Sequence, residues 1–174
     1  MIAERLGLLG RCGLVLFCAL LLQVAVVSDL RAFDAVGDLI LLMAIAAGSS
    51  GGPDRGATIG FAAGLSYDLL LRTPFGLSAL TCVLAGYAAG WAVGAAREPQ
   101  WWFHVVAAVG ISIVAVVFSM VVARILGMAF AFNDVVRSAI VVAVWNGLLV
   151  LPARRLWRWA YGEVDSDRYR VLLP

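Results

Sequence analysis

Lysine is missing from this sequence of 174 residues, and histidine occurs once, at His104. Charge of either sign is scarce: 14% of residues are charged, against about a quarter in a soluble domain. A water-facing globule could not cover its surface with so little polar material. Cysteine is limited to Cys12, Cys18 and Cys82, each inside an apolar run, with no CxxC pair and no Cys/His cluster. Thiols so placed act as small hydrophobes, which excludes a disulfide framework or a zinc site. No metal and no cofactor are expected. The longest polar stretch runs from Arg154 to Pro174, too short for a water-soluble domain.

What is present is hydrocarbon: 63% of residues are hydrophobic and the mean hydropathy is +0.98. Charge-free runs cover 12–28, 39–53, 73–96, 99–123 and 138–153, against about 20 apolar residues for one helical crossing. Segments of about ten residues alternating polar and apolar, the mark of a β-barrel, do not occur. The reading is an all-α polytopic membrane protein with six spans, at about 10–28, 36–48, 56–71, 75–96, 101–123 and 135–151, followed by a basic and aromatic tail over 154–174. The first span, after Arg5 and Arg11, reads as a retained anchor, since no small-x-small cleavage site follows it. The second and third are short for full crossings and imply tilt, thinning or shielding by neighbours.

All basic residues are arginines, and their distribution orients the chain. With both termini in the cytoplasm, the inside carries Arg5, Arg11, Arg55, Arg97, Arg154, Arg155, Arg158, Arg168 and Arg170, and the outside carries Arg31, Arg72, Arg124 and Arg137. That is the bias of the positive-inside rule. The loop DLRAFDAVGD then faces out.

Small residues recur every four positions in two consecutive helices: Gly56, Gly60 and Gly64, ending in Asp68, then Ser78, Cys82, Gly86, Gly90 and Gly94. Such ladders form grooves that let membrane helices approach closely. Joined by the turn RTPFG with Gly76, they predict an antiparallel hairpin packed through its small faces.

Few residues could carry chemistry. Asp68 and Arg72 share a helical face at i, i+4. They read either as a polar anchor for a partner, the default for intramembrane ionisable residues, or as an ion pair that ends a helix at its turn. Asp38 opens the second helix, where the helix dipole favours an acid. Arg137 can snorkel to the interface, Asn146 can bridge helices, and Arg124 marks the end of the fifth span. His104 reads as part of an aromatic belt with Trp101 and Trp102. A serine protease would pair a serine such as Ser49, Ser50 or Ser66 with a base. With His104 at the membrane edge and no strained serine motif, no catalysis is expected. In the tail, Arg154, Arg155 and Arg158 alternate with Trp157, Trp159 and Tyr161, a pattern that suits anchoring to anionic lipid.

The order GFAAGLSYDLLL from Gly60, TPFGLSAL from Thr73 and AGYAAG from Ala85 resembles the bacterial rod shape-determining protein MreD family. Gln23 late in the first helix, the acidic loop and the leucine-rich second helix are also similar. The chain departs at Gly37-Asp38, where the family pattern has proline before the acidic or amide residue. The resemblance implies a non-enzymatic inner-membrane scaffold of the elongation machinery. It would bind an MreC-like single-span partner and support the RodA glycosyltransferase and its penicillin-binding transpeptidase in peptidoglycan synthesis, with MreB filaments on the cytoplasmic side and no nucleic acid involved. The family is similar in its six-helix arrangement to the substrate-binding subunits of energy-coupling-factor transporters. The alternative it supplies is a vitamin-binding component of an uptake system.

Overall fold

The structure, a computed structural model, describes residues 2–27, 37–70, 76–96, 99–128 and 132–162. Among these residues six α-helices follow one another: α1 (Ile2–Leu22), which continues into a π-turn over Gln23–Val27, α2 (Leu39–Gly51), α3 (Pro53–Leu70), α4 (Leu77–Ala95), α5 (Trp101–Ile125) and α6 (Phe132–Tyr161). No strand occurs among the described residues.

α2 is the axis of the molecule. Its sequence LILLMAIAAGSSG is apolar on every side, and every residue from Ile40 to Ser49 is buried. A helix without a polar face has to be enclosed. The other five helices all touch it, and they form a ring in the order α3, α4, α5, α6, α1 that closes where α1 meets α3. With 13 residues, α2 is about 20 Å long, short of the hydrocarbon thickness of about 30 Å. The ring shields it.

Among the described residues, four stretches are long and apolar enough to cross a membrane: Gly7–Ala25, Leu77–Ala95, Trp101–Ile125 and Asn133–Tyr161. α2 falls short by length. α3 is less apolar because it carries Asp54, Arg55 and Asp68. α2 is enclosed by the other helices, while α3 stands in the ring with one face packed against α2 and α4.

The link between α2 and α3, expected from the sequence over 49–55 on the inner side, is the single residue Gly52. Its φ of 88° is open to glycine, its N–H donates to Gly48 O at 2.9 Å, and its carbonyl accepts from Gly56 N at 3.0 Å. α3 therefore folds straight back along α2. A second difference lies at the chain's end, where α6 continues to Tyr161 through the start of the expected tail. Ala153, Trp157 and Ala160 are buried, so Trp157 packs inward instead of joining the headgroup belt. The reason is helical spacing: 150, 153, 157 and 160 form one apolar stripe.

The two ladders meet. A Cβ on Gly56 would run into Gly86 O, one on Gly60 into Cys82 O, and one on Gly64 would stand 2.5 Å from Ala79 Cα. Gly90 lies just as close to Gly52 and Pro53. Gly48 of α2, not singled out in the sequence, enters the same contact: a Cβ on Gly56 would stand 2.6 Å from Gly48 Cα, and one on Gly48 would strike Gly86 O. Gly94, the last rung, has open space around it and is not part of the interface.

Alanine at Gly56 or Gly86 must push two backbones apart, and overpacking of this kind costs about 1–3 kcal/mol. Gly94→Ala meets no atom and gains helix propensity of about 0.5–1 kcal/mol. Thermal unfolding in detergent should show Gly56→Ala and Gly86→Ala well below the parent and Gly94→Ala at or above it. Equal behaviour of all three would refute the contact.

Candidate functional site

At the end of the molecule where α2 and α4 begin, the polar residues gather. Asp68, in the last turn of α3, is 3% exposed. Its Oδ2 accepts from Gly76 N at 2.9 Å and Ala79 N at 3.2 Å, and its Oδ1 accepts from Ser78 N at 3.3 Å. A helix start leaves its first N–H groups without acceptors. The position before α4 is Gly76, at φ 95°, which has no side chain to offer. Asp68 reaches across the turn and caps the next helix, a task an N-cap residue performs locally. Its negative charge also suits the positive end of α4. Gly76 is thus required for its backbone conformation, while Gly60, Gly64, Gly86 and Gly90 are required for close approach. Arg72, read with Asp68 as a pair, lies outside the described residues.

Asp38 is the N-cap of α2, with Oδ1 accepting from Leu41 N at 2.8 Å. Gln23, 2% exposed in the π-turn that ends α1, adds the second connection. Its Oε1 accepts from Leu39 N at 2.8 Å, and its Nε2 donates to Gly37 O at 3.0 Å and meets the Tyr67 hydroxyl of α3 at 3.5 Å. One amide thereby ties α1 to the start of α2 and reaches α3. Gly37 lies against Trp145 of α6, where a Cβ would stand 3.2 Å from Cγ of the ring. Asp38 and Tyr67 face a cavity of about 150 Å³ whose walls include Ser78, Thr81, Cys82 and Ser119.

Elsewhere the interior carries single polar links. Asn146 of α6 donates to Ser112 Oγ of α5 at 2.8 Å, both buried. Ser49 Oγ donates to Ala46 O at 3.1 Å in the interior, whereas the bond from Ser66 Oγ to Ala62 O at 2.7 Å is exposed. His104, read as part of the belt, is 4% exposed and faces inward, whereas Trp101 and Trp102 on the same turn are 69% and 50% exposed. Helical spacing separates them: His104 shares its side with the buried Ala108 and Ser112, four and eight residues on. Among the described residues, no group of three or more His, Cys, Asp or Glu gathers into a metal site.

Sequence reasoning missed Gln23 as a tie, Tyr67 and Gly48. Gln23 had a signal, an amide in a charge-free run, where a polar group needs a partner. Gly48 had a weaker one, the small-residue run AAGSSGG.

Buried apolar helices, intramembrane caps and glycine contacts define an α-helical membrane protein whose polar residues hold its helices together. A family model described as rod shape-determining protein MreD matches residues 8–160. The chain belongs to the MreD family, a family of shape-determining membrane proteins not known as enzymes. No curated protein and no solved structure matches it.

Asp68→Ala leaves three N–H groups at the start of α4 without their acceptor, whereas Asp68→Asn keeps one side-chain oxygen. Losing a cap costs about 0.5–2 kcal/mol, and burial places this one at the upper end. Unfolding should rank the parent first, Asp68→Asn second and Asp68→Ala last. An Asp68→Ala protein as stable as the parent would remove the capping role.

Proposed function

We propose that this protein is a non-enzymatic scaffold of the bacterial elongation complex, lying in the inner membrane and binding an MreC-like single-span protein. Through that partner it supports the RodA glycosyltransferase, its penicillin-binding transpeptidase and so peptidoglycan synthesis, with MreB filaments on the cytoplasmic side. The observation that carries the reading is the family match over 8–160. The architecture supports it: glycine contacts fill the centre with backbone, and the buried polar groups of the α2–α4 end are engaged in capping and tying helices. An interior of this kind suits a rigid platform better than a moving carrier.

The proposal includes six crossings with both termini in the cytoplasm, and a likeness to the energy-coupling-factor subunits in arrangement. The arginine asymmetry supports the orientation, the enclosure of α2 supports its crossing despite short length, and the packing of α3 against α2 and α4 supports its crossing despite its charges. Vitamin uptake is the weaker reading. Among the described residues the cavity beside Asp38 measures about 150 Å³, against about 300–1,000 Å³ for pockets that hold drug-sized ligands.

Reporter fusions at Gln100 and Pro174 should read out as cytoplasmic and one at Gly127 as external. A periplasmic signal from Pro174 would break the topology. Purification in mild detergent should retain an MreC-like partner and show no saturable vitamin binding, while vitamin binding without any such partner would reverse the two readings. At matched protein levels Asp68→Asn should retain the partner as well as the parent does, because its carboxylate is used within the hairpin. Normal folding with loss of the partner would make Asp68 a docking residue.

A further inference from the structure

The opposite end of the molecule, where α6 finishes beside the joint of α2 and α3, has a different polar character. Arg154, Trp157 and Tyr161 follow at helical spacing on α6. Arg154 Nη2 lies 3.5 Å from Ser49 O, Ser50 Oγ lies 3.5 Å from Arg154 O, and the Tyr161 hydroxyl lies 3.5 Å from Ala47 O. The Trp157 and Tyr161 rings stand 5.3 Å apart, and the Arg55 guanidinium lies 5.1 Å from the Tyr161 ring centre. His104 of α5 lies within electrostatic reach of Arg154 and Arg158.

Three nitrogens here are buried with no hydrogen-bond partner: Arg154 Nε, Trp157 Nε1 and His104 Nδ1. Trp157 is 0% exposed and His104 4%. Buried polar atoms in folded proteins nearly always have partners, and each exception calls for an explanation such as a bound ion or water. Arginine and tryptophan nitrogens only donate, so the missing group is an acceptor. The surroundings give its charge. Arg11 lies over the Trp159 ring and Arg55 over the Tyr161 ring, Arg154, Arg155 and Arg158 follow on α6, and Asp54 nearby is exposed.

We propose that Arg154, Trp157 and His104 form a binding site for a phosphate group, supplied by the headgroup of an anionic phospholipid. Depth selects the lipid as the source. With 30 residues, α6 is about 45 Å long and exceeds the hydrocarbon thickness of about 30 Å. Its last turns therefore lie among headgroups, where the exposed Trp101, Trp102 and Trp159 form an aromatic belt. Entry would exchange the long Arg154–Ser49 contact for a charge-assisted bond to phosphate. This site differs from diffuse attraction of surface arginines to anionic lipid in requiring particular buried donors. It is independent of the scaffold role, since its readout is lipid held by the purified protein.

The test is native mass spectrometry of the full chain extracted from membranes containing phosphatidylglycerol and phosphatidylethanolamine. The parent should retain phosphatidylglycerol selectively. Trp157→Phe, which keeps an aromatic ring and removes the N–H, and Arg154→Gln should each lower retention several-fold. Arg155→Gln makes the same charge change at an exposed neighbouring position and should leave retention unchanged. Equal loss in Arg154→Gln and Arg155→Gln, or retention without regard to lipid charge, would overturn the site. Should Arg154→Gln fail to fold, undiminished retention in Trp157→Phe would overturn it alone. Inorganic phosphate that stabilises lipid-free protein as strongly as phosphatidylglycerol would overturn the lipid source.

Discussion

Three helix backbones meet at Gly48, Gly56 and Gly86 with no side chain between them. Helices in a bilayer gain nothing from hiding oil from water, because the lipid is equally apolar, and close packing has to replace the hydrophobic effect. The glycine contact provides that packing and places α2, α3 and α4 at backbone distance. Only at such distance can Gly52 alone join α2 to α3. The central position of α2 follows, since α3 and α4 are held against it while α5, α6 and α1 complete the ring. A larger residue at any of the three glycines would disturb the connection and the hairpin together.

The polar residues solve the second problem of this solvent. Without water, every helix start needs an acceptor from the protein itself. Asp38 provides one for α2 in the ordinary local way. α4 begins after a glycine, and its acceptor arrives from the preceding helix as Asp68. Gln23 joins the end of α1 to the start of α2. An acid inside a membrane segment suggests function by default, but here the geometry assigns all three side chains to architecture. The Asp68 cap and the glycine ladder are parts of one device: the ladder brings α3 to α4, and the acid fixes where α4 starts.

Much of this was legible in the sequence. The charge-free runs named a helical membrane protein, and the four-residue spacing of Gly56, Gly60, Gly64, Gly86 and Gly90 named the close pair, because spacing along a helix is a local property. Spacing could not tell Gly94 from Gly90, since whether a helix face is covered depends on where its neighbour ends. For the same reason Asp68 read either as a partner anchor or as half of an ion pair that ends its helix: its partners lie 8 to 11 residues on, across a turn whose geometry depends on Gly76. The tail was misplaced at Trp157 because alternating arginine and tryptophan resembles an interfacial belt, while one helical stripe through Val150, Ala153, Trp157 and Ala160 continues the core.

The two ends of the bundle divide their work. Where α2 and α4 begin, Asp38, Asp68 and Gln23 accept from the main chain, and the acceptors belong to the protein. Where α6 finishes, the buried Arg154 Nε and Trp157 Nε1 are donors without an acceptor among the described residues. Lysine would serve poorly there, since a compact ammonium is strongly hydrated. Arginine holds its donors in a planar fork, tolerates partial burial and lies over aromatic rings, as Arg55 does over Tyr161 and Arg11 over Trp159. The exclusive use of arginine thus fits an end where Arg55 and Arg154 are half-buried against the helices while Arg11, Arg155 and Arg158 stay exposed.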